Sequence, residues 1–425
     1  MGSIVSDIIK DIKVPRFVKV KQKFPRPKIE PEKIPGLVRE LMSQEEYAKK
    51  IQPGMNVCIT AGSRGINNIT TILRCIVDFC YERGAHPFII PAMGSHGGAT
   101  AEGQTEILTS LGITEETMGC PIRASMETVE IGVTEEGHHV RIDHFAAQAD
   151  AIILCCRIKP HTCFRGPFES GVMKMMTIGL GKQAGASICH EAGFKHMAHL
   201  VPLFGRVIRD NAPIAFAIAM LENAYDETCK IVALQPEQFE EEEPKLLKEA
   251  FSRMPRIWFD ECDVLVVDKI GKNISGDGMD PNITGTFCTP YASGGIQSQR
   301  VCILGLTDET HGNGNGIGMA HAITKRLWNQ LDLEISYPNA ITATVLHCVR
   351  VPMIMANDKE AIQVCIRVCN EIDREQVRIV RIPDSLHIET IMISESMLEE
   401  ARANPNLEVL GEPFELPFNQ DGNLW

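Results

Sequence analysis

The chain has 425 residues, more than one hydrophobic core usually spans, so two domains are expected. Its hydrophobic share of 44% and charged share of 23% are those of an ordinary globular protein, and a net charge of -13 argues against nucleic acid or an anionic membrane as partner. Apolar runs shorter than the ~18 residues of a membrane span, and 15 scattered cysteines without a CxxC pair, predict a cytoplasmic protein with reduced thiols.

The first half repeats the order strand, loop, helix. A basic, proline-containing arm over residues 1–50 comes first. The predicted elements after it are a strand at 56–60, a helix at 66–83, a strand at 87–91, a helix from Thr100 as N-cap to about 111, and a strand at 151–156. Alternating strands and helices form parallel sheets, in which the loops after the strands share one edge. We therefore predict an α/β fold of two α/β domains, with mainly parallel sheets and an active-site cleft between them.

The second half restarts with predicted strands at 262–270 and 301–306. The loop at 311–318 looks like a phosphate cradle, but its glycines fall at every second position and do not fit G-x-G-x-x-G. A tight turn before a helix is favoured there over a dinucleotide site. We predict an N-terminal catalytic and cofactor-binding domain over 1–255, a C-terminal domain over 256–395, and a tail over 396–425 that packs back on the N-terminal domain.

Three polar residues follow strands of the first predicted sheet. Arg64 can project a guanidinium fork toward a carboxylate or phosphate, although a surface ion pair is the commoner role of an arginine. His96 and His161 lie in glycine-containing loops, and histidine can act as acid and base near neutral pH. A single loop histidine is more often structural. A pair suits a reaction that needs a base on each face of a substrate carbon.

Lys174 lies in an otherwise apolar run, where a lysine is costly to bury unless it is paired or covalently modified. It is therefore a candidate for a covalent tether, with Lys182 as the second candidate. His190 opens a segment that resembles the zinc-protease helix, but H-E-x-x-H requires a second histidine where Phe194 stands. A metalloprotease is disfavoured, and a single imidazole ligand to a metal carried by a cofactor stays open.

The order Arg64, His96, His161, Lys174, His190 resembles the lactate racemase superfamily of nickel-pincer enzymes, which racemise or epimerise 2-hydroxy acids. The resemblance implies a nickel-pincer nucleotide (a pyridinium-3-thioamide-5-thiocarboxylate mononucleotide with nickel) attached through Lys174, with His190 as nickel ligand. It implies that His96 and His161 are the acid/base pair and that Arg64 holds the substrate carboxylate. The implied reaction is proton-coupled hydride transfer through a 2-keto acid.

Departures from that pattern concern the substrate. Lactate-type enzymes carry an acid where this chain has Ala61, and the run between the second histidine and the lysine is longer, with Arg165 and Glu169 inside it. Lys272 is the nearest counterpart of the family's second-domain lysine. We therefore expect substrate contacts from Arg165 and Lys272, and a polar or sugar acid rather than lactate. Cofactor contacts are assigned to the loop that carries the first histidine, at Ser95, Gly97, Gly98 and Thr100.

The expected partners are a small 2-hydroxy acid and the enzymes that synthesise the cofactor, with no nucleic acid or membrane partner and a possible homo-oligomer. Two other functions stay open at this point. A hydroxy-acid lyase or dehydratase could use the same histidine pair, and a non-catalytic module could hold an anion in a basic cleft.

Overall fold

A computed structural model describes residues 4–425 and divides the chain into two compact units. Residues 1–3 of the predicted first domain lie outside the described part. The N unit is Pro25–Met254, and the C unit combines the described residues up to Phe24 with Pro255–Trp425. The division after Met254 lies beside the expected boundary at 255, but the first strand belongs to the C unit.

The elements of residues 4–425 alternate between strands and helices along most of the chain. The strands are β1 Phe17–Gln22, β2 Asn56–Ala61, β3 His86–Pro91, β4 Thr128–Val133, β5 His139–Asp143, β6 Ala151–Arg157, β7 Ile214–Glu222, β8 Thr228–Leu234, β9 Glu261–Ile270, β10 Gln297–Leu306, β11 Ala322–Thr324, β12 Met353–Met355, β13 Ile379–Ile382, β14 Thr390–Ser394 and β15 Leu407–Phe414. The α-helices are α1 Ile4–Ile9, α2 Ile34–Ser43, α3 Glu45–Ala48, α4 Ile69–Glu82, α5 Ala101–Ser110, α6 Glu115–Met118, α7 His144–Ala147, α8 Val172–Lys174, α9 Lys182–Glu191, α10 Phe194–Asn211, α11 Phe239–Arg253, α12 Pro281–Thr284, α13 Lys325–Gln330, α14 Leu333–Thr342, α15 Asp358–Arg367 and α16 Leu398–Ala403.

The N unit is built on a five-stranded sheet of order β3-β2-β6-β7-β8, in which only the β7–β8 pairing is antiparallel. Its central strands β6 and β7 are buried along almost their whole length, as continuous apolar strands covered on both faces should be. The apolar side of α4 packs into the same core. Thr100 caps α5 as predicted, because its hydroxyl oxygen accepts the Gly103 N–H at 3.0 Å.

The C unit contains an eight-stranded sheet of order β12-β11-β10-β9-β13-β14-β1-β15. The pairings from β12 to β13 are parallel, and those from β13 to β15 are antiparallel. Strand β1 lies in what was predicted to be an arm, and its partner β15 lies in the predicted tail. That tail therefore joins the sheet of the C unit rather than the N-terminal domain. The strand forms because Val18 and Val20 are buried while Lys19 is exposed, which is the alternation of a one-face-buried strand.

The α/β class with two domains and mainly parallel sheets is confirmed. The glycine-rich loop at 311–318 forms a tight turn, because a Cβ at Gly316 (φ +108°) would lie 1.8 Å from the carbonyl oxygen of Asp277. The side-chain amide of Asn315 also donates to Gly276 O at 3.1 Å, so the loop packs on its own unit's backbone. Across residues 4–425, every helix is too short or too polar to span a bilayer.

Candidate active site

A cavity of about 170 Å³ lies at the carboxyl ends of β2, β3 and β6 in the N unit. Arg64 reaches it from the loop after β2, His96 from the loop after β3, and Lys174 from the end of α8. Parallel strands bring such loops to one edge, which is why residues 110 positions apart in the chain line the same cavity. Three of the five predicted site residues therefore meet there.

Lys174 stands at an irregular point of its helix. Helix α8 continues directly into a π-helical segment, Met175–Leu180. Such segments are rare in proteins, and those that occur are often found at functional sites. The start of α8 is held by Glu243 of α11, whose carboxyl group accepts the Met173 N–H at 2.9 Å. A Cβ at Gly171 would lie 2.2 Å from this carboxyl group, so only glycine permits the contact. The half-buried Lys174 is thereby directed from a fixed backbone toward the cavity.

Residues 240–243 are four consecutive glutamates, a charge run that predicts a solvated helix face, and Glu243 departs from that expectation. Its side chain is fully buried, and burial raises the pKa of its carboxyl group to about 8. The residue therefore holds its proton at neutral pH.

Lys182, the second candidate for a covalent tether, has a structural role. Its Nζ lies 3.2 Å from the Asp143 carboxylate and donates to Pro91 O at 2.5 Å and to the side-chain oxygen of Gln104 at 3.1 Å. These contacts use the three donors of an ammonium group, and the side chain is fully buried. Of the two lysines, only Lys174 borders the cavity.

His161 lies in a loop that an internal carboxylate shapes. The buried Glu169 accepts the His161 N–H at 2.7 Å and the Gly166 N–H at 3.2 Å. Arg165 donates to His161 O at 2.7 Å and to Glu169 at 3.3 Å, and its guanidinium stacks over Phe251 at 5.2 Å. The two polar side chains that suggested a larger substrate thus hold the loop together, and neither borders the cavity.

The imidazole of His161 is half-buried and lies outside the cavity lining, 4.5 Å from the ring of Phe164 between centroids. Its Nδ1 accepts the Cys163 N–H at 3.0 Å, so the neutral ring carries its proton on Nε2. Burial, and then the positive charge of Lys174, hold its pKa well below the usual range. The ring is therefore uncharged at neutral pH.

His190 shares this electrostatic environment. Burial, followed by the charge of Lys174, lowers its pKa to about 4, so it is a neutral imidazole at pH 7. The rings of His161 and His190 both contact Phe194, with centroid distances of 6.1 Å and 5.9 Å. Phe194 entered the sequence interpretation only as the mismatch to the metalloprotease motif; its packing between two candidate histidines was not predicted.

Residues 9–200 match the family model of the lactate racemase N-terminal domain. This N-terminal part of the chain is thus similar to the lactate racemase N-terminal domain, which supports the resemblance to the lactate racemase superfamily. It is similar in structure to the lactate racemase apoprotein from Thermoanaerobacterium thermosaccharolyticum, with a TM-score of 0.53 and 15% identity over 86% of this chain and 94% of that one. A structural-genomics protein from Thermotoga maritima gives a TM-score of 0.50 and 13% identity over 84% of this chain and 97% of that one. At such low identities the structural similarity shows a shared fold alone. The comparison with curated proteins gave no match.

The lactate racemase family uses a nickel cofactor, and the donors of this chain suit such a group. Lys174 offers a primary amine on the cavity, and His190 offers a neutral imidazole, the protonation state that ligates metals. The residues therefore fit a metal-bearing cofactor.

The remaining assigned residues lie away from the cavity lining. Ser95, Gly97, Gly98 and Thr100 share the loop of His96, but none of the four borders the cavity. The Thr100 hydroxyl is used within the loop, since it donates to Gly97 O at 3.1 Å as well as capping α5. Lys272 belongs to the C unit, where its Nζ donates to Gly276 O at 2.6 Å within its own loop.

Proposed function

We propose that this protein is an isomerase, a racemase or epimerase, that uses a nickel-pincer nucleotide to invert C2 of a 2-hydroxy acid. The observation that carries the proposal is the placement of Lys174. It borders the same cavity as Arg64 and His96, and its charge adds to burial in lowering the pKa values of both His161 and His190.

Each residue then has one task. Lys174 anchors the cofactor, and His190 completes the coordination of its nickel. When bound, the group supplies a reversible acceptor for the C2 hydride. Removing the same hydrogen as a proton is difficult, because the neighbouring carboxylate is already ionised. Arg64 binds the substrate carboxylate through its fork.

His96 and His161 move the hydroxyl proton on the two faces of the substrate. His161 begins as a neutral ring with its proton on Nε2. It takes a second proton at Nδ1, and the Cys163 N–H contact must then open. Bound geometry is often tighter than apo geometry, so a shift of this loop on substrate binding is part of the proposal.

A polar or sugar acid remains the proposed substrate rather than lactate, now on different residues. The hydroxyl-bearing Ser63 and Ser170 border the cavity together with Lys159, which gives more polar contacts than lactate can use.

The proposed setting is the cytoplasm, alongside the cofactor-synthesis enzymes. Consistent with reduced thiols, no disulfide joins any of the fifteen cysteines, all of which lie within the described residues.

The decisive experiment is intact mass and nickel analysis after co-expression with cofactor-synthesis enzymes. We expect an added mass that maps to Lys174, together with nickel. The Lys174→Arg variant keeps the charge and should lose both, whereas Lys195→Arg, at an exposed position of α10, should keep both. His190→Ala should keep the added mass but lose nickel.

Turnover of hydroxy acids without added mass or nickel would contradict the proposal and favour a lyase or dehydratase. Anion binding that persists without any turnover in cofactor-loaded protein would favour the binding module.

Arg64→Lys tests how the substrate carboxylate is held. Lysine keeps the positive charge but loses the two-pronged fork, so we expect KM to rise about 10-fold, the effect of roughly 1.4 kcal/mol, with a smaller change in kcat. The loop itself is held independently, since Glu222 accepts the Asn67 N–H at 2.7 Å and pairs with Arg157. Steady-state kinetics should show no such change for Arg39→Lys, an exposed arginine on α2. A fall in kcat at unchanged KM would contradict this role.

A further inference from the structure

A fully buried polar cluster lies beneath the loop that carries His96. It consists of Gln104, Lys182 and Asp143, whose side chains have no exposed surface. Both ends of the Gln104 amide are used: its oxygen accepts from Lys182, and its nitrogen donates to Gly94 O at 2.9 Å and to His96 O at 3.2 Å. The amide therefore holds the backbone of the turn, including the carbonyl group of His96 itself.

Lys182 holds the other end of the same turn. Its Nζ donates to the carbonyl oxygen of Pro91, the last residue of β3, while the carboxylate of Asp143 balances its charge. The cluster thus contacts the backbone at Pro91, where the strand ends, and at His96 within the turn. A buried ion pair is costly to desolvate and is often no more stabilising than apolar packing, so its placement here is better explained by the geometry that it fixes.

Close backbone packing leaves this turn few alternative conformations. Gly97 (φ +66°) folds against the start of α5, where an added Cβ would lie 2.5 Å from the carbonyl carbon of Gly103. On the other side, a Cβ at Gly179 would lie 2.8 Å from Ala92 O. Gly179 belongs to the π-helical segment after Lys174, so the segment that carries the lysine packs directly on the strand end that carries the histidine.

We propose that Gln104, supported by Lys182 and Asp143, is a positioning residue that fixes His96 relative to the segment of Lys174. This inference rests on the proposed function for the role of His96, but the positioning itself can be measured without it. Gln104 acts through the backbone of the turn and does not border the cavity.

Hydrogen exchange in the apoprotein tests the positioning. Gln104→Met keeps the length of the side chain and removes its hydrogen bonds, so amides in residues 92–99 should exchange at least about 10-fold faster, with strand β9 unchanged. Gln104→Glu should have a similar effect, because it retains an acceptor for Lys182 but loses both donated bonds. Gln183→Met, at an exposed position of α9, should leave the exchange unchanged. Unchanged protection of residues 92–99 in both Gln104 variants would overturn the inference.

Activity of the loaded enzyme gives the second test. Gln104→Met should lower kcat about 10- to 100-fold in the wild-type background and have no further effect in His96→Gln, because residues that act as a unit are not additive. An equal loss in both backgrounds would mean a general structural role and would overturn the inference. If His96→Gln itself leaves turnover unchanged, the proposed function fails, and the exchange result alone decides whether Gln104 positions the turn.

Discussion

Replacing either His96 or His161 with glutamine is expected to lower kcat about 10²- to 10⁴-fold, the contribution of a positioned acid–base group. Glutamine can still form hydrogen bonds but cannot carry a proton between substrate and solvent. Both directions of the isomerisation should slow, because each direction uses both rings, one as acceptor and the other as donor. Initial rates with each isomer of a 2-hydroxy acid, at equal nickel content per chain, measure the effect.

His196→Gln provides the control, since His196 is an exposed residue of α10 six positions after His190. It should keep the activity of the parent protein. The acid/base assignment is wrong if either site variant retains activity within a few-fold of the parent at equal cofactor loading.

The low pKa of His161 should be visible in the dependence of kcat on pH. Its pKa lies well below the usual range because of burial and neighbouring positive charge, so its neutral form persists as the pH falls through the ordinary titration range of histidine. This ring should therefore cause no loss of kcat between about pH 7 and 6.

The sequence predicted that Arg64, His96 and His161 meet at one sheet edge, and the first two line the cavity while His161 lies outside its lining. That inference needs only local information. Arg64 and His96 each follow an apolar strand, and parallel strands end at one edge. The pairing of β1 with β15 could not be predicted in this way, because Val20 and Val409 pair across almost the entire chain. Local alternation shows that a strand exists, but not which strand it joins.

The groups that hold the site loops were the least predictable part. Gln104 and Lys182 meet through tertiary contacts over 78 positions of sequence, and nothing near either residue indicates the other. Glu169 was noted as a polar residue near the site, but its role is to accept backbone N–H groups of its own loop. Such contacts depend on where loops fold back, which periodicity does not encode.

Unlike those contacts, the burial of Glu243 can be inferred from the spacing of residues along its helix. Within α11 the buried residues Phe239, Leu246, Leu247 and Ala250 mark one face of the helix, and Glu243 falls in register with them at four residues after the first. The run of four glutamates predicted a solvent-exposed helix face, whereas helical spacing places its last member on the buried face. A buried acid on an apolar face is costly, so it indicates a specific partner.

A common arrangement follows from these contacts. Each segment that carries a site residue is fixed at its base by an acid or amide: Glu222 for the Arg64 loop, Gln104 for His96, Glu169 for His161 and Glu243 for Lys174. In each case a backbone group of the segment is the partner of that acid or amide. Pre-organisation of this kind reduces the ordering cost of binding and catalysis.

Glu243→Gln is expected to stabilise the protein increasingly as the pH rises. The folded-state pKa of Glu243 is about 8, whereas the ordinary value is 4.5. Below the ordinary value both states are protonated, and no stability is lost. Between the two values only the unfolded chain ionises, so the wild type loses stability until the pH passes the folded-state pKa, by an amount on the order of a few kcal/mol at ~1.4 kcal/mol per pKa unit.

Glutamine cannot ionise and retains an oxygen that accepts the Met173 N–H, so the variant should keep the start of α8 in place. Thermal unfolding at a series of pH values should show wild type and variant close together near pH 5, with the variant's advantage largest at about pH 8. Glu242→Gln, the half-buried neighbour that pairs with Lys245, should not reproduce this divergence. Parallel curves for Glu243→Gln and wild type across this range would mean that Glu243 is ionised in the folded protein. The carboxylate would then need a cationic partner beside the segment of Lys174, and the site would carry one more negative charge than the proposed function assigns to it.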